Sequence, residues 1–80
     1  MATKDIPLVN NAARHPAVIV RMLKQHPHTL RDETEQCVRE TTKALVRAGH
    51  RADLMDICRG AGLDEARRAI INSVCDNYRH

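Results

Sequence analysis

The side chains with the greatest chemical reach in this sequence are five histidines and three cysteines. His26-Pro27-His28 together with Cys37, Cys58 and Cys75 hold the donor atoms of a zinc site. Their spacing does not suit one, because there is no Cys-x-x-Cys and no histidine pair one turn apart on a helix. His26 ends a helical stretch, where a partly charged imidazole suits the helix dipole. Nucleophilic catalysis meets a similar obstacle. Cys, His and Asp all occur, but no cysteine opens a helix, where its thiolate would be stabilised. A chain of 80 residues also offers little wall for a substrate pocket. The sequence therefore reads as neither an enzyme nor a holder of a metal or cofactor.

A second kind of chemistry belongs to Arg59, Arg67 and Arg68, which gather around Gly60-Ala61-Gly62. Ile57-Cys58, Gly62-Leu63 and Ile71 follow the order of a helix-turn-helix, so residues 53–78 form a DNA-binding alternative with these three arginines as contacts. Two features oppose it. Arg68 falls where the second helix should bury an apolar residue. Asp64 and Glu65 open that helix and would present negative charge to phosphates. Arg68, one turn from Asp64, also reads as half of an ordinary surface pair. The formal net charge of +3 is too mild to demand nucleic acid, and the single aromatic residue, Tyr78, leaves no stacking platform for single strands.

The elements that must position these groups are helical throughout. The sequence predicts an all-α fold: a small bundle of about four helices over residues 14–80, preceded by an extended arm over residues 1–13. The first helix runs from Pro16 to His26. Proline suits a first turn, and Pro27 disfavours helix at the residue before it. The second spans Thr29 to Gly49, with Thr29 as N-cap, Asp32 at the third position and a left-handed glycine stop. Its stripe is Leu30, Thr34, Cys37, Val38, Thr41, Ala44, Leu45 and Ala48, with Val46 exposed opposite. A short third helix covers Ala52 to Arg59 and ends in a flexible Gly60-Ala61-Gly62 turn. The fourth covers Asp64 to Tyr78. Cys37 and Cys58 fall on core stripes and Cys75 at the rim of its arc. No secretory signal or membrane-length apolar run is expected, and unpaired thiols suit a reducing, cytoplasmic setting.

Three features carry more apolar surface than a small bundle needs: the first helix, the wide arc of the fourth, and Ile6, Leu8 and Val9 in the arm. Such surplus marks an interface with another protein or with a second copy of the chain. The alternative is that the helices cover one another and the arm docks on the bundle edge. On the first reading Ile70 and Val74 hold the core, while Arg67, Ile71 and Tyr78 meet the partner together with Ile6, Leu8 and Val9. Arginine suits an interface because its stem buries while its tip stays charged.

The Thr29–Gly49 helix and the closing ARRAIINSVCDNY, Ala66 to Tyr78, resemble the short all-helical antiactivators of bacterial mobile elements. These include the small quorum-sensing antiactivators that sequester a LuxR-type activator. The resemblance implies occlusion of a transcriptional activator by direct binding. It lies in overall style without a diagnostic motif, so it transfers no functional residue.

Overall fold

A computed structural model describes residues 8–78. Among them the chain forms six helices and no strand: α1 Leu8–Arg14, α2 Pro16–Gln25, α3 Thr29–Asp32, α4 Glu35–Arg47, α5 Arg51–Ala61 and α6 Glu65–Asn77. The fold class is all-α, as the periodicity indicates, but the count and two boundaries differ from expectation.

The first difference is the arm. Residues 8–14 are helical, and Ala12 is fully buried. Seven residues with an Asn-Asn pair are too few to show a helical period, and a helix so short is held by packing rather than by propensity. Here α1 lies against α4 and α2. The chain bends at His15, whose φ of −135° and ψ of 64° are non-helical, as a residue before proline requires. His15 still accepts backbone hydrogen bonds from Val18 and Ile19, both at 3.1 Å, and so starts α2. Ile6 and the rest of residues 1–7 lie outside the described residues.

The second difference is a break in the expected Thr29–Gly49 helix. α3 is a single turn with His28, not Thr29, at its N-cap, and the Thr29 capping box does not form. Glu33 and Thr34 are extended, at ψ of 161° and 160°. Thr34, expected on the apolar stripe, instead caps α4 by accepting the Cys37 N–H at 3.1 Å. A β-conformation threonine followed by Glu35 makes a sound N-terminus by itself.

α4 is the hub, packing most extensively on α6 and also on α1, α5 and α2. Val38, Thr41, Thr42 and Leu45 are buried along it at i, i+3, i+4 and i+7. With neighbours on several sides the buried arc widens. Val46, expected in solvent, is half-buried and packs against the core. Two hydroxyls inside an aliphatic core need partners. Thr42 donates to the Val38 carbonyl at 2.7 Å, and Thr41 meets the Cys37 sulfur at 3.9 Å. No buried side-chain nitrogen or oxygen among the described residues is left unsatisfied.

Gly49, at φ +88°, closes α4 as expected. The His50 N–H bonds to Leu45 O at 2.9 Å and the Gly49 N–H to Val46 O at 3.0 Å, which is the Schellman pairing. α5 then runs through Gly60 and Ala61 and stops only at Gly62, φ +64°. The flexible glycine turn is thus reduced to Gly62-Leu63-Asp64. α5 is tied to α2 by Asp53, which receives Lys24 Nζ at 2.9 Å and pairs with His50 Nδ1 at 3.1 Å. The Lys24 bond, followed by that to His50, holds the Asp53 carboxyl below its usual range.

The two kinds of glycine separate in a simple test. Gly60 is helical, and an added Cβ would meet nothing nearer than Pro27 Cγ at 4.0 Å. Gly60→Ala should raise stability by about 0.5 kcal/mol. Gly49→Ala has open space around it but a left-handed backbone, and should lower stability by about 1 kcal/mol. Thermal melts followed by circular dichroism give both signs.

Candidate functional site

The surplus apolar faces expected from sequence are largely consumed by the fold. On α2, Ile19, Val20 and Leu23 are buried, and Val18, at 55% exposure, is the one large hydrophobic side chain exposed among the described residues. On α6, Ile70, Ile71, Val74 and Cys75 are all buried. Ile71, expected at an exposed edge, is only 1% exposed, less than Ile70 at 8%. It is core because α6 packs extensively along α4, so the exposed surface assigned to it for a partner is absent. Leu8 is half-buried against the core, and Val9 is half-buried beside it on α1. Tyr78 is half-buried at the C-cap of α6.

Arg67 also has another task. Its Nε and Nη2 donate to the Glu33 carbonyl at 3.0 and 2.6 Å, and its Nη1 pairs with Asp64 at 2.9 Å. Asp64 in turn caps α6 by accepting the Arg67 N–H at 3.1 Å. The expected Asp64–Arg68 pair is therefore an Asp64–Arg67 pair, and Arg67 is a structural latch between the start of α6 and the end of α3. With all three nitrogens donating to a carbonyl and a carboxylate, it presents little to a protein partner or to DNA.

What the fold leaves open is a groove between α5 and α6, with a volume of about 430 Å³. Met55, Cys58, Leu63 and Ile71 supply its apolar lining, and Arg59, Arg68 and Asn72 its polar lining. α5 and α6 diverge from the Gly62 turn, and each packs on α4 instead. Two arginines of the DNA-binding alternative thus survive as surface groups. Arg59 is 82% exposed and only 3.9 Å from Asp56, a loose pair. Arg68 is exposed and has no ion pair among the described residues. A third guanidinium joins them. Arg31 Nη1 stands 3.6 Å from the position a Cβ on Gly62 would occupy, at the groove's edge. Met55, Leu63 and Asn72 fall within the 53–78 segment of the DNA-binding alternative but are not among its expected contacts. Arg31 has no signal in sequence order, because it reaches Gly62 only when α3 folds back onto the α5–α6 turn.

That fold-back has its own polar contact. The His28 Nδ1–H donates to the Ala61 carbonyl, at 3.2 Å, on the last residue of α5. His28 is therefore engaged, and among the described residues no group of three or more His, Cys, Asp and Glu side chains is placed to hold a metal ion. Nor is any described helix long and apolar enough to cross a membrane.

The thiols reverse their expected order. Cys75 is buried, while Cys37 and Cys58 are half-buried, and all three are free. Burial pushes the Cys58 thiol up to about 11, with Cys75 acting in the same direction and the Arg68 guanidinium opposing. Burial also raises Cys37 and Cys75. None is poised as a nucleophile.

No family model, curated protein or solved structure matches the chain.

Two outcomes follow from this geometry. Arg67→Ala leaves the Glu33 carbonyl without its donor and should cost about 1–3 kcal/mol of stability, read as a lower denaturation midpoint. Alkylation of Cys58 in the folded protein should keep accelerating towards a pH near 11 instead of levelling off near the ordinary thiol value. Cys75 should react last at every pH, as resolved by peptide mass mapping.

Proposed function

We propose that the protein is a non-enzymatic regulator that binds another protein stoichiometrically. Its target in this reading is a bacterial transcriptional activator in the cytoplasm, in the manner of the antiactivators its sequence resembles. The observation that carries the reading is the α5–α6 groove, which sets half-buried Met55 and Cys58 and two exposed arginines beside buried Leu63 and Ile71, in a domain that otherwise covers most of its hydrophobic surface. A partly covered apolar cleft on a small domain is well explained by a partner that completes its burial. Free thiols at Cys37, Cys58 and Cys75 suit a reducing compartment.

The DNA-binding alternative is weakened by the use of the arginines. Arg67 is spent on Glu33 and Asp64, and the start of α6 carries exposed Asp64 and Glu65. A recognition helix contacts bases with its N-terminal residues, where these carboxylates would repel phosphate.

The reading is tested by crosslinking in the native host followed by purification and mass identification. The expected result is one activator recovered at fixed stoichiometry, with its promoter output falling when this chain is overproduced. The gene's own upstream DNA should give no gel shift at physiological salt. A specific shift that is lost in Arg59→Ala and Arg68→Ala would reverse the assignment in favour of DNA.

A further inference from the structure

We infer that the α5–α6 groove receives an acidic amphipathic helix of the partner protein. Its carboxylates lie on the guanidinium groups of Arg31, Arg59 and Arg68, and an apolar side chain from the same helix face sits over Met55, Cys58 and Leu63. The inference rests on the protein-binding reading above and adds the chemistry of the partner.

Charge complementarity sets the sign. Two guanidinium groups, Arg59 and Arg68, line the groove and no carboxylate does, while Arg31 stands beside Gly62 at its turn end. Asp64 is held by Arg67 at 2.9 Å, while Asp56 stays 3.9 Å from Arg59. Arg31 and Arg68 have no ion pair among the described residues. Arginine is the cation best suited to such a rim, because its guanidinium is weakly hydrated and takes carboxylates in a bidentate fork.

The shape sets the form of the ligand. The groove is a cleft between two diverging helices, with its apolar side chains below and its cations at the edge. A helix laid along such a cleft offers an apolar anchor with acids three or four residues away on the same face. A small molecule is poorly served, since oriented binding needs polar groups set among the apolar ones. Here Arg59, Arg68 and Asn72 are all exposed.

Cys58 gives a built-in reporter. It lines the groove and is half-buried, so an occupant must shield it, whereas Cys37 lies on α4 and lines no part of the groove. The experiment is selection from a display library of random helical peptides of about 15 residues, long enough to hold a helix, against the intact chain. Selected peptides are then measured by fluorescence anisotropy and by site-resolved alkylation. Enriched sequences should carry Asp or Glu three or four residues from a large apolar residue. Their binding should slow alkylation of Cys58 and leave Cys37 unchanged. It should weaken as salt rises and fall by about tenfold or more in the double variant Arg59→Glu, Arg68→Glu. Both side chains are exposed, so the helical circular-dichroism signal should stay intact.

Selected peptides without acids, or peptides that leave Cys58 unprotected, would overturn this inference while the protein-binding reading stands. No enrichment, together with an Arg68-dependent shift of duplex DNA, would overturn both. No enrichment and no shift would overturn the groove's assignment alone, since copurification from the host decides the other independently.

Discussion

The arrangement of this molecule depends on one carbonyl oxygen. Glu33 O ends the single turn of α3 and accepts two hydrogen bonds from Arg67, the shorter at 2.6 Å. A four-residue helix cannot hold itself together, because its nucleus costs more than its few backbone hydrogen bonds return. α3 persists because it is fastened at both ends. Arg67 takes its last carbonyl, His28 at its start donates to Ala61 O, and Leu30 between them is fully buried. Each bond places a donor at the negative end of a helix, where unsatisfied carbonyls collect. The pair joins α3 to the end of α5 and to the beginning of α6. It thereby fixes where α5 and α6 part and where the groove opens.

This dependence explains what the sequence could and could not disclose. α2, α5 and α6 lie close to their expected spans because proline, apolar periodicity, Gly62 and Asp64 are local signals. Gly49 closes α4 for the same reason. The break at Glu33-Thr34 is not local. The stretch from Thr29 has an unbroken helical period, and the bond that secures the interruption comes from Arg67, 34 residues away. Arg67 was conspicuous as a charge within an apolar arc, but periodicity cannot say whether such a charge points to a partner or to the chain's own backbone. Ile71 shows the same blindness. A helical wheel gives the direction of a side chain and not the number of neighbours around the helix. With α4 alongside and the α5–α6 turn near its start, α6 buries Ile70 and Ile71 alike.

The groove was legible only in part. Sequence order places Arg59 and Arg68 around the glycine turn, but Arg31 of α3 comes to that turn only in the fold, and which side chains line the cleft depends on how α5 and α6 part. Net charge also concealed it. A total of +3 suggests a balanced surface, yet two of the acids are committed to architecture. Asp64 caps α6 and pairs with Arg67, and Asp53 joins Lys24 to His50. Acids used at helix starts leave cations elsewhere without counter-charges. The local field is then more positive than the sum of charges implies.

The position of Cys58 shows what that field can accomplish. A guanidinium close to a thiol favours the thiolate, yet burial wins and the Cys58 thiol is held up at about 11. Burial of the Cys58 sulfur thus outweighs a neighbouring cation, while the cation itself remains exposed. A carboxylate that reaches Arg68 from the solvent side need not enter that lining, so it avoids the large desolvation penalty of a buried ion pair. An apolar group on the same ligand gains by displacing the remaining water from the floor. As that water leaves, screening falls and the rim pairs strengthen. The two contributions reinforce each other only for a ligand that carries both. On the inferred binding mode, the groove would discriminate against a purely charged partner and against a purely apolar one.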